Sequence, residues 1–258
     1  MASPASEHRL KLYVELNADV RSLSDGDRND LRETFRDLVR LLNGLGAPYA
    51  LFGAYAVAAY VPERRATADI DVVTARDQLT AVRSLAPRHG FRELPKEGDA
   101  VIRTFVHRTG VRLDVLFDEV GFADLAATQV ISLEGIGDLR VASSADLAYS
   151  KLRTQHSIWR RDPQKRATDY GDLIALLRSD ASVAPELYTR IVPRSHVAQR
   201  DVNVELQSVL MRACRDAGVD FPEQSLIGRL GALPLAGVVL AAVALIVGAG
   251  LLAFLLLR

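Results

Sequence analysis

Asp69 and Asp71 stand one residue apart in Ala68-Asp69-Ile70-Asp71-Val72-Val73. Side chains alternate faces along an extended strand, so the two carboxylates project together while Ile70 and Val72 turn into a core. Adjacent carboxylates repel unless a cation sits between them, and hard oxygen ligands suit Mg²⁺ held together with substrate phosphates. The pair is therefore a candidate metal site for phosphoryl chemistry; a solvated strand face is the alternative reading of any lone Asp-x-Asp. A third acid supports the metal reading. Val111-Arg112-Leu113-Asp114-Val115-Leu116-Phe117 alternates, with Leu113, Val115 and Phe117 on one face and Asp114 on the other. Upstream, Leu51-Phe52-Gly53-Ala54 is a glycine turn leading into Tyr55-Ala56-Val57-Ala58-Ala59-Tyr60.

Glycine turn, Asp-x-Asp strand and a later strand aspartate, in that order, resemble the polymerase-beta-like nucleotidyltransferase superfamily. The stretch from Gly53-Ala54 to Arg65-x-Thr67-x-Asp69-Ile70-Asp71 is similar to its AbiEii-like members, known as abortive-infection proteins and as toxins of type IV toxin-antitoxin pairs. Further on, Ser144-Ala145-Asp146-Leu147-Ala148-Tyr149-Ser150-Lys151-Leu152 resembles the family's helical segment with its lysine. Lys165-Arg166-Ala167-Thr168-Asp169-Tyr170-Gly171-Asp172-Leu173 resembles the Asp-x-x-Asp-Leu ending of that segment.

The resemblance implies an α+β fold, with a polymerase-beta-like mixed sheet, flanking helices and a helical C-terminal lobe. It implies Asp69, Asp71 and Asp114 as catalytic metal ligands for two Mg²⁺ ions, a nucleoside triphosphate as substrate, and Gly53, Ala54, Arg65, Thr67, Lys151 and Asp169 at the nucleotide. The acceptor it implies is tRNA, a protein or a small molecule, and an antitoxin is the implied partner. Family members usually carry Gly-Gly or Gly-Ser at the turn, where amides and often a serine hydroxyl hold the triphosphate. Ala54 keeps the amide for anion binding at the following helix start but supplies no hydroxyl. Tyr55 either compensates or simply packs the first helical turn.

Lys151 follows Leu147 by one helical turn, at the edge of an apolar face, which suits a lysine reaching into a cleft or one snorkelling from a lobe interface. Asp169 follows Lys165 by four, the spacing of an ordinary helix salt pair, and Asp172 shares its face.

The elements that must position these residues follow from periodicity. Leu31, Phe35, Leu38, Leu42 and Leu45 keep helical spacing and stop at Gly44 and Gly46. Strands are expected over 49–52, 68–73, 100–107 and 111–117, the last two turning at Thr109-Gly110, with helices over 54–60 and 77–88. From Ser143 the pattern is helical, with a capping-box-like Ser143 and Asp146, and Asp162-Pro163 as a cap and first helical position. Val202, Leu206, Val209, Leu210 and Ala213 form one stripe. The expected organisation is a polar N-terminal arm (1–24), a catalytic domain (25–142), a helical lobe (143–217), a linker (218–229) and a membrane segment (230–258).

Charge is balanced, 32 basic against 32 acidic residues, so there is no general attraction to nucleic acid. The single cysteine, Cys214, excludes an intramolecular disulfide and a cysteine-rich zinc cluster. The five histidines lack metal spacing and are read as surface or interface residues. Leu230 to Leu257 carries no charge, and Pro234 to Leu257 would make a helix about 36 Å long, enough for the ~30 Å core of a bilayer. With a polar start and only Arg258 beyond, the expectation is a single-pass C-terminal transmembrane helix in the cell membrane, with the catalytic domain cytoplasmic.

Three functions compete on this evidence. The first is a membrane-tethered nucleotidyltransferase, and the second is a nucleotide-sensing or partner-binding module that has lost turnover on the same fold. The third is an aminoglycoside-type small-molecule nucleotidyltransferase.

Overall fold

The computed structural model describes residues 8–11, 13–14, 29–62, 67–95, 101–118, 128–156, 162–191 and 200–222. These include helix α1 (Asn29–Gly44), strand β1 (Tyr49–Phe52), the short helix α2 (Gly53–Val57), β2 (Asp69–Ala75), α3 (Leu79–Leu85), β3 (Phe91–Glu93), β4 (Ile102–His107), β5 (Arg112–Asp118), β6 (Gln129–Leu133) and β7 (Gly137–Val141). Four helices follow: α4 (Ser144–Arg153), α5 (Pro163–Ser179), α6 (Val183–Ile191) and α7 (Arg200–Ala217).

The seven strands form one mixed sheet in the order β3-β4-β5-β2-β1-β7-β6. Two pairings are parallel, β2 with β5 and β1 with β7, and the others are antiparallel. The parallel β2/β5 pair lies at the sheet's centre and bears the three acids. The β4–β5 hairpin turns at Arg108-Thr109-Gly110, where Gly110 takes φ +83°, a left-handed conformation that favours glycine.

Along β2, Ile70 and Val72 are buried while Asp69 and Asp71 are half-buried. Along β5, Leu113, Val115 and Phe117 are buried. The alternation read from the sequence is thus the alternation of the sheet. Val73 shares the face of the two aspartates yet is buried. The acids accordingly sit at the open start of β2, level with the end of β1, where Phe52 pairs with Asp71.

From Ser144 onward the regular elements of the described chain are helices. Ser143 caps α4, its Oγ accepting the Asp146 amide hydrogen at 3.1 Å. Asp162 caps α5 by accepting the Gln164 and Lys165 amides, and Pro163 fills the first turn. Asp146, itself buried, accepts from Arg190 Nη1 at 2.7 Å and so ties α4 to α6. On α7, Leu206, Val209, Leu210 and Ala213 are buried; Val202 is in the helix, but its side chain lies outside the described residues.

Several elements differ from expectation. Within the expected N-terminal arm, residues 8–11 and 13–14 are helical, and Leu10, Tyr13 and Val14 are buried in the core. Tyr13 packs edge-on against Tyr55 at 5.2 Å between ring centroids. The helix expected over 77–88 is interrupted, with α3 flanked by 3₁₀ turns at Arg76–Gln78 and Ala86–His89, Pro87 lying within the second. Strand β3 and the β6–β7 hairpin were not anticipated, although Ile131, Leu133, Leu139 and Val141 carry the two-residue period and are buried. His107 and His156 are interior residues, not surface ones.

The transmembrane segment expected at 230–258 lies outside the described residues. Among the described residues no helix is long and apolar enough to cross a membrane.

Candidate functional site

Parallel pairing of β2 with β5 puts Asp69 opposite Arg112 and Asp71 opposite Asp114. Residues opposite each other on neighbouring strands project to the same face. Asp69, Asp71 and Asp114 therefore share one face, together with Arg112 and with Thr104, which pairs with Asp114 across the β4–β5 hairpin.

Asp69 and Asp114 are each held by a neighbour. Thr67 Oγ1 donates to Asp69 Oδ1 at 2.9 Å. Thr104 Oγ1 donates to Asp114 Oδ1 at 2.6 Å. Arg112 grips Asp114 with two nitrogens, Nε to Oδ1 at 3.1 Å and Nη2 to Oδ2 at 2.8 Å. This bidentate hydrogen bond holds the Arg112 guanidinium above its ordinary pKa, and the charges of Asp114, Asp69 and Asp71 act in the same direction.

Gly53 is joined to the acids by contact. It takes φ +61°, and a Cβ at this position would come within 1.9 Å of Asp71 Oδ2. Only glycine lets the turn lie against that carboxylate. The helix that follows is five residues long. An anion here would be held by turn amides more than by a helix dipole. Ala54 is buried, and Tyr55 packs inside, edge-on to Phe35 at 5.0 Å, which is the packing role left open for it above.

The remaining expected nucleotide residues are placed as follows. Thr67 is the Asp69 partner just described. Arg65 lies outside the described residues. Lys151 is buried between α4 and α5, with Nζ 2.7 Å from Asp169 Oδ1 and 2.9 Å from Asp172 Oδ2. Lys151 is thus a basic partner of Asp169 across the helix pair, whereas the helical spacing offered Lys165.

Thr104 and Arg112 were not singled out from the sequence. Arg112 was legible, because a strand residue two before Asp114 must share its face. Thr104 was not, since its place depends on the hairpin register.

The donor set suits a divalent cation of the Mg²⁺ class. Three carboxylates from two central strands share a partly open face, and Gly53 itself sets no side chain against Asp71. A different group, Glu33, Asp37 and His107, also has ligand atoms within 4.8 Å of one another. His107 alternates with Thr104 along β4 and so faces the opposite side of the sheet, towards α1. Arg108 Nη2 already lies 2.6 Å from both Glu33 and Asp37, and His107 Nε2 is 3.2 Å from Asp37. Burial pushes the His107 pKa down, the Asp37 hydrogen bond opposes this, and the Arg108 charge adds to it.

A hollow of about 490 Å³ lined by Ala86, Pro87, Phe91 and Phe105, with the Arg83–Glu93 ion pair beside it, contains none of these acids. Cys214 is buried, which raises its thiol to about 11 and leaves it unreactive.

No family model matches the chain, and no curated protein matches it. Among solved structures, an antigenic nucleotidyltransferase-like protein from Paracoccidioides brasiliensis is similar at 19% identity, over 68% of this chain and 92% of that one, with a TM-score of 0.43. The antibiotic-resistance factor ANT(2″)-Ia is similar at 14% identity over 67% and 97%, with a TM-score of 0.48. The lincosamide antibiotic adenylyltransferase LnuA is similar at 16% identity over 57% and 93%, with a TM-score of 0.37. These are loose overlaps of fold.

Proposed function

We propose that this protein is a nucleotidyltransferase of the polymerase-beta-like type, moving a nucleoside monophosphate from a nucleoside triphosphate to an acceptor with release of pyrophosphate. The observation that carries the reading is the contact of the Gly53 turn with the Asp71 carboxylate, which itself stands in register with Asp114. Phosphoryl transfer needs backbone amides for the phosphates beside metal-binding acids, and here the two are in contact.

Asp69, Asp71 and Asp114 would hold Mg²⁺. Bound there, the ion would neutralise developing charge on the phosphoryl oxygens and ease deprotonation of the attacking hydroxyl. The protein's own residues do the positioning. Thr67 and Thr104 fix the directions of Asp69 and Asp114, and the Gly53 turn offers amides at Asp71. Lys151, held by two aspartates, braces the α4–α5 pair.

The finer reading is an AbiEii-like enzyme acting on a tRNA, protein or small-molecule acceptor and countered by an antitoxin. It rests on the Gly53-to-Asp71 and Lys151-to-Asp172 motifs. The uncharged stretch 230–257 supports a tail anchor in the cell membrane, with the catalytic face cytoplasmic. Release of the full chain into the aqueous fraction on carbonate extraction would remove the anchor.

The test of the activity uses the full-length chain in a nonionic detergent, each labelled nucleoside triphosphate in turn, Mg²⁺, and total cell RNA or protein. Label should enter one fraction, and Asp71→Asn should reduce it at least about a hundredfold while melting stays cooperative. Full activity of that variant, or no pyrophosphate from any nucleotide with the parent, would favour the nonenzymatic nucleotide-binding reading.

A further inference from the structure

Both oxygens of Asp114 are engaged. Thr104 and Arg112 Nε share Oδ1, and Arg112 Nη2 covers Oδ2. A cation at this face needs a carboxylate oxygen, and the guanidinium holds the one that Thr104 leaves open. The two partners differ in how firmly they are kept. Thr104 is buried on the neighbouring strand, whereas the Arg112 side chain is 52% exposed. Leaving a half-exposed ion pair for water costs an arginine little, and Thr104 keeps Asp114 aimed after Arg112 has gone. Arg112 also stands opposite Asp69 in the β2/β5 register, so its charge sits among the three acids rather than beside one.

We infer that Arg112 is a positioning residue that occupies Asp114 in the cation-free protein and competes with the cation for that carboxylate. The inference rests on the three-acid metal site proposed above. It gives the site a cation threshold: below it Arg112 relieves repulsion among the acids, and above it the arginine swings aside.

Direct Mn²⁺ titration of the full-length chain in nonionic detergent, with free ion counted by electron paramagnetic resonance, reads this without any turnover. Arg112→Ala removes the competing charge, and Arg112→Lys keeps a charge but loses the two-point grip. Both variants should bind Mn²⁺ more tightly than the parent, by about fivefold for the alanine variant and less for the lysine variant. Asp71→Asn should weaken binding in every background, which locates the ion on this face.

Several outcomes overturn the inference. Lysine and parent binding alike while only alanine binds tighter would mean through-space charge and no contest for Asp114. Weaker binding by both variants would make Arg112 a part of the ion site. Equal binding by all three, or binding indifferent to Asp71→Asn, also rejects the competition. Failure of parent and variants alike to bind Mn²⁺ rejects the three-acid metal site itself, whereas equal binding leaves that site standing.

Discussion

The sheet face at Asp69, Asp71 and Asp114 and the helix pair at Lys151, Asp169 and Asp172 both set acids against a basic side chain, yet they are built to opposite ends. In the helical half, Lys151, Asp169 and Asp172 are 8%, 7% and 11% exposed, and the ammonium lies within 2.9 Å of both carboxylates. Charges so enclosed must be paired, because water cannot solvate them. On the sheet face, Asp114 is 14% exposed but its partner Arg112 is 52% exposed, and the turn beside them carries no side chain. Hydrogen bonds aim these acids while solvent can still reach them. The comparison separates a cluster that is closed off and internally paired from one that solvent can still reach.

The comparison breaks most readily at the enclosed cluster. Lys151→Met removes the ammonium that both buried aspartates contact and should lower stability by about 3–5 kcal/mol, the cost of breaking a buried ion pair. Chemical denaturation measures this. A loss under about 1 kcal/mol would mean that water reaches the pair, and the distinction between the two clusters would fail.

A smaller effect is expected at the open face. Gly53→Ala places a methyl where Asp71 Oδ2 lies and forces a left-handed backbone on alanine. The backbone alone costs about 1–2 kcal/mol, and displacement of Asp71 should lower nucleotidyl transfer about a hundredfold. Transfer rates and melting of the same variant test both parts. Normal transfer would show that the turn and the acid do not act together.

The smallest effect sharpens the comparison at a third group, where buried His107 and Asp37 meet the exposed Arg108. Burial depresses the His107 pKa, so the unfolded chain takes up its proton first as pH falls. The contribution of neutral His107 is present above the ordinary histidine value of about 6.5 and is lost as pH falls from there through the depressed folded value. Stability of the parent relative to His107→Gln should therefore decline on acidification from pH 7.5 to 5. A difference independent of pH would show that His107 does not titrate in the unfolding equilibrium.

Much of the open site was legible because strands are simple. A period of two puts Asp69 and Asp71 on one side of Ile70 and Val72, and Gly53 marks a turn. Helix starts were legible for a similar reason, since Ser143 and Asp162 satisfy amides only a few residues away. The contact of Asp169 with Lys151 was not legible, because helical spacing, which offers Lys165, sees one helix at a time and this contact crosses from α4 to α5.

By itself the sequence determined the local terms: which residues alternate, where chains turn, and which side chains could bind a cation or a phosphate. Only the tertiary structure decided that β2 and β5 lie side by side and in parallel, which aligns Asp71 with Asp114 and Asp69 with Arg112. It also decided that Tyr13 of the polar N-terminal segment reaches the core at Tyr55. The physical reason is range. Alternation and capping are set by neighbours within one turn or one pleat, whereas strand order and register emerge from burying many distant apolar side chains at once.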